Sequence, residues 1–190
     1  MNRRVTFAVA TILASTSFIA TAGAANAAKK PTSKTDNPPI AALNVGNGQF
    51  VEMAGAAGVA EIAAGKLALE RSSRADVKEF AQKVIADHEA ARTELSKIVT
   101  AKGMALPTEA TPEDQKLLAE LATVTGPAFD ELYLREAGVN AHEKAVALFE
   151  GGAKTGDAEL RAFAEKTLPT LQKHLTMARG LAAPVAASLN

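Results

Sequence analysis

The sequence predicts an all-α fold in which two helical hairpins are joined by a long crossover. Apolar residues make up 47% of the chain, aromatic residues only 4%, and cysteine is absent, a composition that favours helices packed through small side chains. Four long stretches repeat their apolar residues every three or four positions, as amphipathic helices do. Residues 76–83 and 159–166 also match in type at nearly every position, which indicates a duplicated hairpin.

The first 27 residues are predicted to be a signal peptide. Arg3 and Arg4 precede an uncharged apolar stretch, and Ala25-Asn26-Ala27 supplies the small residues of a cleavage site after Ala27. Threonines and serines dilute the stretch, which argues against an uncleaved anchor across the membrane. We therefore expect a mature chain that is periplasmic or secreted and has no transmembrane span.

Three further segments follow the predicted leader. Residues 28–48 contain three prolines, and their apolar residues do not recur at a regular spacing. Both features are typical of a flexible linker. Residues 49–181 carry the helical patterns and are predicted to form the folded domain. Residues 182–190 are predicted to be a C-terminal tail.

The first hairpin is predicted between residue 49 and Gly103. Gly55, Gly58 and Gly65 interrupt the pattern of its first helix, and each costs about 1 kcal/mol of helix propensity relative to alanine. We expect these glycines to let a neighbouring helix approach closely. Ser73, with an acidic residue three positions later, is the expected N-cap of the second helix.

Residues typical of helix N-termini also occur in the crossover and in the second hairpin. Thr111 followed by Pro112 predicts a short extra helix in the crossover. The third helix is expected over residues 127–154, and the fourth from a cap at Asp157 to near Gly180. Two hairpins with a long middle connection are the organisation of ferritin-like four-helix bundles, and a simple up-down bundle is the alternative.

Each main helix carries one candidate metal ligand near its middle. His88, His142 and His174 fall on the apolar stripes of their helices, and Glu61 is in register with the apolar positions of the first helix. Counted from the turn between them, Glu61 and His88 differ by five residues, roughly 7 Å along the axis. Side chains tilt toward the helix N-terminus, which narrows this gap, so the four residues can converge.

Two interpretations of this set remain open. Three imidazoles and a carboxylate suit a divalent transition metal such as Zn, Cu, Fe or Ni. The alternative is a buried polar layer that fixes the helix register, in which the histidines pair with one or more of four side chains: Asp87, Glu61, Glu143 and Tyr133. Di-iron carboxylate proteins carry Glu three residues before His on two helices. Apolar residues take those positions here, so ferroxidase or oxygenase chemistry is not expected: Ile85, Val139 and Leu171.

Several segments between residues 49 and 181 carry a family resemblance. They are Gly58-Val59-Ala60-Glu61 to Gly65-Lys66-Leu67, Val84-Ile85-Ala86-Asp87-His88, His142-Glu143-Lys144-Ala145-Val146, and Leu168-Pro169-Thr170-Leu171 to His174-Leu175. In this order they resemble the exported bacterial ferritin-like family known only as a domain of unknown function. The resemblance implies a helical bundle behind a signal peptide, and it implies no particular reaction.

Composition and missing motifs narrow the function further. Basic and acidic residues balance at 21 each, which excludes the basic surface of a nucleic-acid-binding protein. The sequence contains no phosphate loop, nucleophile elbow or zinc-protease motif. We expect a non-catalytic envelope protein, a binding or stress-protective bundle whose partner is a protein or small ligand, with homo-oligomers allowed. The alternatives are a metal-binding or metal-storage bundle, and an interaction module that packs on partner helices or a membrane surface.

Overall fold

The computed structural model describes residues 46–183 of the chain. Within them the secondary structure is entirely helical, so the all-α prediction is confirmed. The elements are α1 (Asn47–Arg71), α2 (Ala75–Ala101), α3 (Pro112–Leu121), α4 (Gly126–Leu132), a π-helical segment (Tyr133–Asn140), α5 (Ala141–Gly152) and α6 (Ala158–Ala182).

The predicted domain boundaries fall partly outside the described residues. The signal peptide over 1–27, most of the linker over 28–48 and the end of the tail lie there. Helix α1 begins at Asn47, two residues before the predicted start of the folded domain. Helix α6 ends at Ala182, the first residue of the predicted tail.

Two predicted helix caps are present. The side chain of Thr111 accepts a hydrogen bond from the backbone N–H of Asp114 at 3.1 Å. One carboxylate oxygen of Asp157 accepts hydrogen bonds from the backbone N–H groups of Glu159 and Leu160, each at 3.0 Å. Both side chains satisfy donors that the first turn of a helix leaves without a partner.

The predicted cap of α2 at Ser73 is wrong by one residue. Arg74 occupies the cap position, and no side chain caps the helix there. The Ser72 hydroxyl already accepts the backbone N–H of Arg74 at 3.1 Å. The Arg74 guanidinium in turn donates a hydrogen bond of 2.7 Å to the carboxylate of Asp76. Asp76, the acidic residue expected to take part in the cap with Ser73, therefore pairs with Arg74 instead.

The predicted third helix contains a long π-helical segment. Leu132 and Ala141, at the two junctions, keep helical dihedral angles, so α4, the π segment and α5 follow one another without a break. The backbone N–H of Ala141 bonds the carbonyl of Glu136, five residues back instead of four. π turns are rare and often mark functional sites.

Helices α1 and α2 pack together, as do α5 and α6. Their connections span only residues 72–74 and 153–157, so each pair is an antiparallel hairpin. Contacts between α2 and α6 and between α1 and α5 join the two hairpins, and α3 of the crossover rests on α1. None of the helices in residues 46–183 is both long and apolar enough to cross a bilayer.

Buried apolar residues form two separate clusters. The first apolar cluster surrounds the rings of Phe50, Phe149 and Phe163, whose centroids lie 5.2–6.4 Å apart. The second apolar cluster contains Phe80 and the stacked rings of Phe129 and Tyr133. The polar side chains described below lie between these two clusters.

Glycines of α1 lie against neighbouring elements, as expected. A Cβ atom added at Gly65 would lie 2.8 Å from Cγ1 of Ile85 in α2, and one added at Gly55 would lie 2.6 Å from Cδ of Pro107 in the crossover. Both distances are shorter than side-chain carbons tolerate. These glycines thus offset their propensity cost with closer packing.

Gly152, at the end of α5, offers a test of this packing. A Cβ atom there would lie less than 3 Å from three atoms of the fully buried Phe50 ring. We expect Gly152→Ala to lower the free energy of unfolding by about 1–3 kcal/mol through overpacking. Gly180→Ala in α6, where nothing lies within 4 Å, is the matched control and should stabilise slightly. Equal effects of the two changes in urea unfolding would contradict this account.

Candidate metal centre

Three histidines converge between the two apolar clusters. His88 of α2, His142 of α5 and His174 of α6 are all buried, and their ring centroids lie 5.3–5.8 Å apart. One nitrogen of each ring lies within 4.8 Å of a nitrogen of the other two. These are the three histidines of the entire sequence, so every imidazole in the chain belongs to this cluster.

Glu61 of α1 joins the cluster through His88. Its Oε2 atom lies 2.6 Å from Nε2 of His88, and only 5% of Glu61 is exposed. The angles of this contact are not those of a hydrogen bond, and neither Glu61 oxygen has a hydrogen-bond partner among residues 46–183. The contact is therefore an ion pair, and both oxygens keep lone pairs for a further ligand.

His142 is oriented by the π segment. Its Nδ1 atom lies 3.1 Å from the carbonyl oxygen of Ala137. Because a carbonyl only accepts, Nδ1 carries the proton and donates it. In the neutral ring Nε2 then holds a lone pair, and this buried atom has no hydrogen-bond partner among the described residues.

His174 is oriented by a carboxylate. Its Nε2 atom lies 2.8 Å from Oδ2 of Asp87, which also accepts a hydrogen bond from Lys83 at 3.1 Å. Nε2 is thus the donor, and Nδ1 is left buried without a partner in the described part of the chain. Burial, helped by the neighbouring histidines, lowers the pKa of His174 to about 4 despite the opposing effect of Asp87. The ring is neutral at pH 7.

Glu61 and His88 each favour the charged form of the other. Burial alone would lower the pKa of His88, but the facing Glu61 carboxylate raises it above its ordinary value. Burial alone would raise the pKa of Glu61, but the charge of His88, with smaller effects of the other two histidines, lowers it well below its ordinary value. Among the three histidines, His88 has the largest effect on the pKa of Glu61, followed by His142 and then His174.

Apolar groups enclose the cluster on both sides. The Phe80 ring of the second apolar cluster lies 6.1 Å from the ring of His142 and 6.3 Å from that of His174. On the other side, a cavity of about 20 Å³ adjoins Glu61 and His88 and is lined mainly by residues of the first apolar cluster, together with Arg92 and Thr167. A water-sized group needs roughly 10–15 Å³. The cavity therefore has room for one.

Asp87 is one of the histidine partners named for the polar-layer alternative, but the sequence did not indicate which histidine it binds. Neighbouring residues on a helix point about 100° apart, and a run such as Asp87-His88-Glu89 therefore spreads around α2. In the structure this spread brings His88 to Glu61 of α1 and Asp87 to His174 of α6. Glu89 stays at the surface. In the sequence, Asp87 is visible only as an acidic residue next to a histidine on an apolar stripe. That pattern does not identify the residue that Asp87 will bind.

The other side chains considered as histidine partners bind elsewhere. Glu143 accepts a hydrogen bond from Arg179 at 2.7 Å, and the ring of Tyr133 stacks on Phe129. The carbonyl of Ala137 was not foreseen either. It belongs to the π segment, and apolar periodicity does not reveal a π segment.

The neutral state of His174 gives the metal-free protein a specific pH dependence. Between pH 6.5, the ordinary pKa of histidine, and about 4, the unfolded chain binds a proton that the folded chain does not. The free energy of unfolding should therefore fall as the pH falls through this window, by about 3 kcal/mol. Urea unfolding in the presence of a chelator measures this loss, and His174→Gln should lack it. Equal slopes for the two proteins would refute a neutral buried His174.

Comparison with known proteins identifies the family. Residues 29–181, which include part of the predicted linker, match the family described as Domain of unknown function (DUF4142). Searches of curated proteins and of solved structures give no match. Because the family match covers well over half of the chain, this protein belongs to the DUF4142 family.

Proposed function

We propose that this protein is a non-catalytic, exported metal-binding bundle that holds one divalent transition-metal ion. His88, His142 and His174 supply three nitrogen ligands, and Glu61 supplies an oxygen ligand. The observation that carries the proposal is the convergence of three buried imidazole nitrogens within 4.8 Å.

The hydrogen bonds made by Nδ1 of His142 and Nε2 of His174 support this assignment. His142 and His174 each donate one ring N–H to a protein acceptor, and the other ring nitrogen of each is buried without a partner among residues 46–183. Histidine ligands of metals typically have this arrangement, because a carbonyl or carboxylate behind the ring determines which nitrogen faces the ion. Here the carbonyl of Ala137 and the carboxylate of Asp87 have that role.

The donor set indicates the class of metal. Three imidazoles and one carboxylate suit Zn²⁺ and Cu²⁺, while the absence of cysteine excludes thiolate ligands. Binding would displace the proton of His88, so the affinity should rise with pH. The cavity that adjoins His88 accommodates only a water-sized group, which favours retention of a single ion beside the histidines over turnover of an organic substrate there.

A metal-free polar layer is the second candidate. The ion pair of Glu61 and His88 favours it, because these two charges compensate each other without an ion. It leaves Nε2 of His142 and Nδ1 of His174 unexplained, however. A buried polar atom without a partner typically costs about 1–3 kcal/mol, and a bound ion would satisfy both atoms at once.

Fold and location complete the proposal. The packing of α1, α2, α5 and α6 as two joined hairpins supports a ferritin-like four-helix bundle. The leader pattern over residues 1–27 supports export from a bacterial cell. Mass analysis of the protein recovered from the periplasm or medium should give a chain that begins at Ala28, and an intact Met1 there would refute cleavage.

Metal binding is tested on protein purified without a histidine tag. Calorimetric titration should show one equivalent of Zn²⁺ or Cu²⁺ bound per chain, with a rise in melting temperature, because the ion binds only the folded state. His142→Gln should abolish stoichiometric binding. Asp87→Asn should weaken binding by about 10–100-fold, because it only positions His174.

The exposed neighbour of His88 provides the control. Glu89→Gln removes an acid from the same helix but leaves the histidine cluster intact, so its affinity should equal that of the wild type. A wild-type protein that binds neither ion, or His142→Gln with undiminished affinity, would establish the polar layer instead.

A further inference from the structure

We propose that an open cavity above Glu61 is the path by which the metal ion enters and leaves, and that the ion pair of Glu113 and Lys144 at its mouth limits the rate of passage. The inference rests on the proposed metal-binding function. To that function it adds the path of the ion, the point at which the ion loses its water ligands, and the ion pair that limits its passage.

Glu61 lines two cavities. The inner one, of about 20 Å³, also adjoins His88. The outer one, of about 210 Å³, lies between α1, α3 and α5 and is bordered by Met53, Ala141 and Lys144. Because Glu61 lines both, it stands between the surface and the histidine cluster.

The charges around the outer cavity favour a cation. Glu61, Glu113 and Asp114 line it, and Lys144 is the single basic side chain that does so. Both oxygens of Glu61 are buried and lack hydrogen-bond partners among residues 46–183. Acidic groups along a low-dielectric cleft concentrate cations there and raise their association rate.

The cavity sizes separate hydrated from dehydrated ions. A water-sized group requires roughly 10–15 Å³, so the outer cavity of about 210 Å³ admits an ion with its full first shell of water. The inner cavity of about 20 Å³ does not. The ion therefore exchanges water ligands for the carboxylate of Glu61 before it reaches the histidines.

One contact crosses the mouth. Nζ of Lys144 in α5 lies 3.1 Å from Oε1 of Glu113 in the first turn of α3. The pair ties the short crossover helix to α5, and it places a positive charge in the path of the ion. Both side chains are largely exposed, so the pair is weak enough to open.

The experiment measures rates and affinity together, with Co²⁺ uptake followed by stopped-flow absorbance and release followed by mixing with EDTA. Ala141→Met places a larger side chain in the outer cavity and should slow uptake and release by about tenfold each. The equilibrium affinity should stay unchanged, because a blocked path alters both directions equally. Ala63→Met, on the face of α1 that borders a different cavity, is the matched control and should alter neither rate.

Lys144→Gln is the complementary variant. It removes the tie and the positive charge while changing only an exposed side chain, so uptake should become about threefold or more faster, with the larger gain at low salt. Unchanged uptake in both Ala141→Met and Lys144→Gln, in a protein that still binds one ion, would overturn the route and leave the metal site standing. Failure of the wild type to bind Co²⁺, Zn²⁺ or Cu²⁺ would overturn the proposed function itself.

Discussion

The carboxylate of Glu61 in α1 and the imidazole of His88 in α2 face each other at 2.6 Å in the interior of this domain, and each favours the charged form of the other. Each charge is stable there only because the other is present, since an unpaired buried charge costs several kcal/mol. The pair therefore holds the two helices of the first hairpin in one axial register. The rings of His142 and His174 complete the polar group from the second hairpin, so the same few atoms align both hairpins.

The rest of the core is arranged around this polar group. Apolar side chains form one cluster on each side of it, and both clusters are built from phenylalanines with alanines and leucines between them. Few large side chains are needed, because glycines such as Gly65 and Gly152 bring backbones and rings into close contact. A chain with only 4% aromatic residues can thereby enclose four ionisable groups.

Local features of this structure were predictable from the sequence, and contacts distant in the chain were less so. The caps at Thr111 and Asp157 follow from hydrogen bonds within one turn, and the meeting of Glu61 with His88 follows from counting residues across a short connection. The partner of Asp87 lies 87 residues away, and no pattern within α2 identifies it. The cavity over Glu61 depends on where the crossover helix rests, which periodicity does not determine.

The π segment has a consequence for how the chain tolerates change. Over Tyr133–Asn140 the backbone winds with bonds to the fifth residue, and the orientation of every side chain in α5 depends on that winding. A substitution within the segment alters one side chain, whereas removal of one residue would also change how far α5 is rotated relative to α4. The position of the His142 ring relative to the cluster would change with that rotation. In this stretch the number of residues, more than their identity, determines whether the histidines meet.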